Sequence, residues 1–248
     1  MLATAEKAAL DGGRVLQDNF GRIRRATHKQ KKDLVTEADI LSEKKILSII
    51  RKGYPHHNIL SEESTPIDED SEYTWVVDPL DGTHNFYYGM PFWGVSVALF
   101  RREKPQLGVI YLPNEGELYH AVRGKGAYCN GKKLKVSGRT MDDAMLMFGV
   151  RFFQDSSTFS TFRKLVTRTF SVRMLSVAVT SFAYVVQGKA DAYVAQSLKP
   201  WDYAAGCLLV EEAGGKSTDF GGREWKLDSG SIVCSNGRIH KQLLEVIR

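Results

Sequence analysis

Apolar positions along the chain fall into two regimes. Leu2, Ala5, Ala9, Leu10, Leu16 and Phe20 recur at helical spacing and predict an amphipathic helix over residues 2–20, weakened at Gly12-Gly13. Residues 21–33 are polar and basic and predict a loop or short hairpin. Thr36-Glu37-Ala38-Asp39 opens a second helix that reaches about Arg51, with Thr36 and Asp39 spaced as a capping box. Residues 58–61 and the β-branched, apolar run 73–77 predict strands, the second one buried. From 92 to 135 strand and turn alternate through GVSVALF, QLGVIYLP, GELYHAV and GAYCNGKKL. Turn signals stand at Pro113-Asn114, Gly124 and Asn130-Gly131, and the Asn-Gly pair marks a hairpin.

The second half changes period. Strands are predicted at 144–150, 172–174, 190–194 and 231–234, and helices at 156–168, 177–187 and 201–213 and from about Arg238 onward. Gly214-Gly215 stops the third of these helices. A strand-rich α+β half over 1–140 followed by an alternating α/β half over 141–248 predicts sheets and helices stacked in layers within one domain. The chain contains no internal repeat and no low-complexity linker.

Composition narrows the class. The chain has 248 residues, 43% hydrophobic and 25% charged, the balance of a globular protein. Its three cysteines, Cys129, Cys207 and Cys234, read as free thiols in a reducing compartment, and no N-glycosylation signal is present, so a cytoplasmic location is expected. Glu6, Lys7 and Asp11 interrupt the N-terminal apolar pattern, which excludes a secretory signal core. The long uncharged run 82–100 holds His84, Asn85, Gly89 and Pro91, so no membrane partner is expected. The net charge of +5 suits an anionic substrate by steering. The basic stretch 22–32 lacks interleaved aromatic residues, and no nucleic-acid partner is expected.

The chemistry is carried by acids placed at the ends of elements. Asp78 ends the run Trp75-Val76-Val77, Pro79 takes the chain out of the ladder, and Asp81-Gly82 follows. This turn gathers two carboxylates and the Leu80 carbonyl, hard oxygen donors of the kind magnesium takes. Glu62-Glu63 ends another strand, and Asp202 opens a helix after Pro200-Trp201. Two unit charges about 4 Å apart repel by roughly 4 kcal/mol at an effective dielectric near 20, and a divalent cation reverses the sign. Converging acids therefore suggest a metal before they suggest acid–base work. Gly214-Gly215-Lys216-Ser217 imitates a P-loop tail, but Val210 stands where the first glycine belongs. His56-His57 reads as a solvated turn rather than a zinc site.

Taken together, DLVTEAD at 33–39, LSEES at 60–64, WVVDPLDGTHNF at 75–86 and KPWDYAAGCLLVEEAG at 199–214 closely resemble the inositol monophosphatase family of lithium-sensitive, magnesium-dependent phosphatases. The resemblance covers nearly the whole chain. It implies a layered αβαβα sandwich, a homodimer, and two to three Mg2+ per site. It implies that Glu62, Asp78 and the Leu80 carbonyl hold one ion, that Asp78, Asp81 and Asp202 hold a second, and that Glu62 with water holds a third. It also implies that Thr83 orients the attacking water with Asp39 as its partner. Glu62, Thr83 and Asp39 would thus carry catalysis, and Asp81, Gly82, Thr83, His84, Ala178 and Asp202 would face the substrate. Lys29, Lys31 or Lys32 of the 22–33 loop would approach the phosphate. The expected reaction is hydrolysis of inositol 1-phosphate. Fructose 1,6-bisphosphate, other sugar or nucleotide phosphates, and a non-catalytic binding role are the alternatives, the last disfavoured because every ligand position is filled. Three positions depart from the family. His84 replaces the usual threonine or arginine, Ala195 replaces a glutamate that binds inositol hydroxyls in the animal enzymes, and Ser176-Val177-Ala178 replaces a Gly-Ser/Thr-Ala turn. All three bear on the substrate and leave the metal ligands untouched.

Overall fold

The computed structural model describes residues 1–22, 26–30, 33–149 and 157–247. In chain order, helix α1 (Leu2–Asn19) leads to a hairpin of β1 (Ala26–Gln30) and β2 (Asp33–Thr36), then to α2 (Glu37–Gly53). Strands β3 (Asn58–Ser61) and β4 (Tyr73–Asp81) precede a short helix α3 (Thr83–Tyr87). An antiparallel run follows, made of β5 (Gly94–Arg101), β6 (Lys104–Leu112), β7 (Glu117–Val122), β8 (Ala127–Cys129) and β9 (Lys132–Lys133). The second half contains β10 (Met145–Gly149), α4 (Ser157–Val166), β11 (Ser171–Arg173), α5 (Ala178–Val186), β12 (Ala192–Gln196), α6 (Pro200–Glu212), β13 (Lys216–Thr218), β14 (Ser231–Ser235) and α7 (His240–Ile247).

Two large sheets result. One has seven strands in the order β3-β4-β5-β6-β7-β8-β9, antiparallel except for the β3–β4 pair. The other has five in the order β11-β10-β12-β14-β13, with β10 parallel to both neighbours and β14 antiparallel to both of its own. Alternation along β4 and β5 sorts side chains between two cores. Trp75, Val77, Val95, Val97 and Leu99 pack under α1 and α2, while Val76, Ala98 and Phe100 face α5 and α6. Helix α6 is apolar around its whole circumference because it lies between the two sheets. A third core lies under α4 and α7 on the outer face of the five-stranded sheet. The layers are therefore helices, sheet, helices, sheet, helices, which is the predicted sandwich. Among the described residues, no helix is long and apolar enough to cross a membrane.

Three details depart from the expectations. Gly12 and Gly13 do not weaken α1. A Cβ on Gly12 would lie 2.7 Å from Ile46 of α2, and one on Gly13 would lie 2.4 Å from Tyr111 of β6, so the two glycines let the helix close onto its neighbours. Strand β4 does not stop at Val77 but continues through Pro79 to Asp81. A β-bulge between Asp78 and Asp81 sets three residue steps against two on β5, and the proline occupies this bulge, where it costs no ladder hydrogen bond. Strand β13 and helix α3 carry no period of their own and lie outside the predicted elements.

Candidate active site

The bulge in β4 fixes the acidic turn. Asp78 Oδ1 accepts the Leu80 N–H at 3.1 Å, an Asx-type turn that leaves the Leu80 carbonyl facing away from the ladder. The Pro79 carbonyl takes the Ser42 hydroxyl at 2.9 Å, which ties the turn to α2. Gly82 then sits at φ 92° as the cap of α3, and a Cβ there would lie 2.7 Å from the Phe92 carbonyl. Only glycine fits both constraints.

Helices α2 and α6 bring Asp39 and Asp202 to this turn, and α5 anchors Asp81. Asp39, in the first turn of α2, accepts the Thr36 N–H at 2.9 Å and the Thr36 hydroxyl at 2.6 Å on one oxygen, which realises the predicted capping box. Its other oxygen accepts the Thr83 hydroxyl at 3.0 Å. The Thr83 hydroxyl also lies 3.0 Å from the Leu80 carbonyl. One proton serves one acceptor at a time, so donation to Asp39 leaves the Leu80 carbonyl lone pairs for another partner. Asp81 Oδ2 accepts the N–H groups of Ala178 and Val179, both at 2.6 Å, at the N-terminus of α5. Ala178 thus meets the site through its backbone, holding Asp81. Asp202, in the first turn of α6, accepts the Lys199 N–H at 2.7 Å and is 8% exposed. His84 is exposed at the start of α3. Of the lysines expected near the phosphate, Lys31, Lys32 and the Lys29 side chain lie outside the described residues.

The electrostatics show how close these groups are. Burial pushes Asp78 well above the usual carboxylate range, and Glu62, Asp81, Asp202 and Asp39 add to the rise. Burial, then the Asp202 charge, raises Asp81 to about 7, against the pull of the two α5 N–H groups. Burial raises Asp39 to about 6, with its three hydrogen bonds opposing and Glu62 adding. Hydrogen bonds to backbone N–H groups normally lower a carboxyl, so the mutual repulsion and desolvation here outweigh them. The cluster is a concentration of negative charge that only a proton or a cation relieves. Among the described residues, no three His, Cys or acidic side chains close into a ready-made cage. Asp39, Asp78, Asp81 and Asp202 instead each have an oxygen anchored on a backbone or hydroxyl donor. The donor set, all hard oxygen and mostly anionic, still matches a divalent cation such as magnesium.

One residue was missed by the sequence reading. Glu43, one turn beyond Asp39 on α2, is 6% exposed. It accepts the Glu63 N–H at 3.0 Å and the Ser61 hydroxyl on the same oxygen, and so holds the turn that carries Glu62. The available signal was the phase of α2, whose buried face reads Ala38, Asp39, Ser42, Glu43, Ile46, Ile50. Polar residues on an apolar stripe mark a helix that serves a polar site.

The model of the inositol monophosphatase family matches residues 1–248. The protein named Nus factor SuhB of Haemophilus influenzae is 38% identical over 255 residues, covering 100% of this chain and 96% of that protein. The Aquifex aeolicus protein named fructose-1,6-bisphosphatase/inositol-1-monophosphatase is 36% identical over 253 residues, covering 100% and 95%. Among solved structures, extragenic suppressor protein suhB of Bartonella henselae superposes with a TM-score of 0.95 at 34% identity, covering 100% of this chain and 98% of that one. An IMPase/NADP phosphatase solved in complex with Mg2+ and phosphate superposes with a TM-score of 0.84 at 26% identity, covering 96% and 90%.

Proposed function

The chain belongs to the inositol monophosphatase family and is a phosphatase, and on that premise we propose that it hydrolyses small polyol or sugar phosphate monoesters, inositol 1-phosphate first among them, in a magnesium-dependent reaction. The observation that carries this reading is the convergence of buried, mutually repelling carboxylates on the bulge at Asp78–Asp81, with a hydroxyl–carboxylate pair beside it. Glu62, Asp78, the Leu80 carbonyl, Asp81 and Asp202 would hold two to three Mg2+. When bound, the ions supply charge neutralisation for the phosphate and a lowered pKa for the attacking water. Support for magnesium comes from the charge of this cluster and from the Mg2+ in the related IMPase/NADP phosphatase.

The chain's own residues would act as follows. Asp39, buried and fixed by Thr36, accepts the Thr83 proton, so that the Thr83 oxygen presents a lone pair to the attacking water. The pair orients the water and takes its proton as the phosphate bond forms. The first N–H groups of α3, after Gly82, point out of the helix end and receive phosphate oxygens, with His84 beside them. Ala178 and Val179 hold Asp81 in place, and Asp202 faces the leaving alcohol. Transfer would be in line and direct to water, without a phosphoenzyme, with the carboxylates of the cluster assigned to the metal ions and Thr83 committed to Asp39.

Fructose 1,6-bisphosphate is a second reading, favoured by the double name of the Aquifex relative. We place the enzyme in the cytoplasm as a homodimer. Phosphate release from inositol 1-phosphate, fructose 1,6-bisphosphate, 3′-phosphoadenosine phosphate and glycerol 2-phosphate, with magnesium titrated and lithium added in parallel, tests the reading. Magnesium-dependent, lithium-inhibited release, greatest from inositol 1-phosphate, is the expected result. Release greatest from the nucleotide would overturn the substrate assignment, and release from none of the four the reaction itself.

A further inference from the structure

The five-stranded sheet carries a buried phenol that the reaction above does not use. Tyr193 and Ala195 lie two residues apart on β12 and share the face turned toward α5 and α6. The Tyr193 ring is held edge-on against Phe182 of α5, with centroids 5.0 Å apart and planes at 81°. Its hydroxyl reaches along the sheet to Gly149, the register partner of Ala195 on the parallel strand β10. A Cβ on Gly149 would lie 2.4 Å from the Tyr193 hydroxyl and 2.8 Å from the Ala195 Cβ. Gly149 is not in a left-handed conformation. The backbone therefore does not require glycine there, and the missing side chain makes room for the hydroxyl.

That hydroxyl has no hydrogen-bond partner among the described residues. A buried O–H left unpaired costs about 1–3 kcal/mol, so an unpaired one needs a reason. The residue is only 2% exposed. The place is the carboxyl end of the parallel pair β10–β12, from which the chain runs through Lys199 to Asp202. In open α/β sheets ligands bind beyond the carboxyl ends of the strands. Burial keeps the phenol protonated, and Asp81 and Asp202 are close enough to reinforce this. A protonated, unpartnered donor thus stands in the field of Asp81 and of Asp202, the carboxylate placed against the leaving alcohol above.

We propose that the Tyr193 hydroxyl is a specificity-determining substrate contact, donating a hydrogen bond to a hydroxyl oxygen on the alcohol portion of the phosphate ester. The proposal rests on the phosphatase reading and narrows it to polyol esters, which carry an acceptor beyond the scissile phosphate. Its neighbours Gly149 and Ala195 carry no polar side chain, so of these three residues the phenol supplies the polar group. A site built to hydrogen-bond a substrate hydroxyl discriminates strongly against an analogue that lacks it.

The test compares wild type with Tyr193→Phe on inositol 1-phosphate and on cyclohexyl phosphate, the same ring without hydroxyls, used as a substrate or as a competitive inhibitor. The ratio of kcat/KM for the first to kcat/KM, or 1/Ki, for the second should fall at least tenfold in the variant. The melting temperature in EDTA should change by less than about 2 °C, since no internal hydrogen bond is lost. A ratio changed less than twofold, or parallel losses on both compounds, would overturn the proposal and leave Tyr193 a packing residue. Failure of wild type to release phosphate from inositol 1-phosphate would instead strike the phosphatase reading, and would be seen before any variant is compared.

Discussion

Replacing Asp81 with asparagine should stabilise the metal-free protein while destroying its activity. Asp81 rises from an ordinary 3.8 to about 7 through burial and the Asp202 charge. A carboxyl raised on folding binds a proton in the folded state that the unfolded chain has already lost. The cost of ionising it is absent below about pH 4, grows as the pH rises through the window, and is complete above about 7. At 1.36 kcal/mol per pH unit the ceiling at pH 8 is roughly 4 kcal/mol. Asparagine still accepts the Ala178 and Val179 N–H groups, but a neutral acceptor is weaker by about 1 kcal/mol for each bond. The net gain is about 2 kcal/mol, or roughly 4–8 °C in melting temperature for a chain of this size. Thermal melts in EDTA at pH 8 and pH 5 measure it, and the gain should shrink at the lower pH. Magnesium at about 100 times its Kd should add roughly 2.7 kcal/mol to wild type and less to the variant. A variant that melts at or below wild type in EDTA at pH 8 would refute the repulsion on which the site rests.

Other perturbations separate the parts. Thr83→Ala should lower kcat by about 10²-fold while keeping the magnesium-induced rise in melting temperature; loss of that rise would make Thr83 a structural support of the metal site. His240, buried between the Thr218 and Ser235 hydroxyls, is lowered to about 4 by burial and the nearby Lys216. Its unfolded form takes up a proton first, near pH 6.5, so the stability it contributes is full above that pH and is lost as the pH falls toward 4. Wild type should therefore lose up to about 3 kcal/mol relative to His240→Gln between pH 7 and pH 4 in denaturant titrations, and a pH-independent difference would contradict a neutral buried imidazole. Ser176 sits at φ 55° just before α5, so Ser176→Gly should raise stability by about 1 kcal/mol; a loss in the same titration would show that the serine side chain is needed there.

Much of the molecule was legible because local chemistry and tertiary role agree. Thr36 and Asp39 spell a capping box, and the structure forms it with one oxygen of Asp39 while the other reaches Thr83. Asn130-Gly131 spells the β8–β9 turn, and both residues take positive φ. The illegible parts are those in which distant segments decide. Pro79 reads as a strand breaker, yet the bulge opposite β5 absorbs it. Gly12-Gly13 reads as a weak point, yet the helix needs the absence of side chains there to approach Ile46 and Tyr111. Glu43 reads as an ordinary surface acid until the Ser61–Glu63 turn is seen to rest on it. Tyr193 reads as one more apolar strand residue, and only the clearance at Gly149 and the unpaired hydroxyl mark it out. The acids themselves were readable from their places at element ends, but their convergence depends on the stacking of both sheets on α5 and α6.

The central claim is that the carboxylates around Asp78 bind magnesium and hydrolyse a phosphate ester. The most direct test is phosphate release from inositol 1-phosphate as magnesium is titrated, for wild type and Asp78→Asn side by side. Asp78 is 1% exposed and feels four other acids, so it is the residue the cluster can least replace. Wild type should be inactive in EDTA and should saturate with magnesium, and Asp78→Asn should stay folded with turnover reduced by at least 10³-fold, the several kcal/mol that metal charge stabilisation contributes. Metal-independent release by wild type, or near-normal release by a folded Asp78→Asn, would contradict the account.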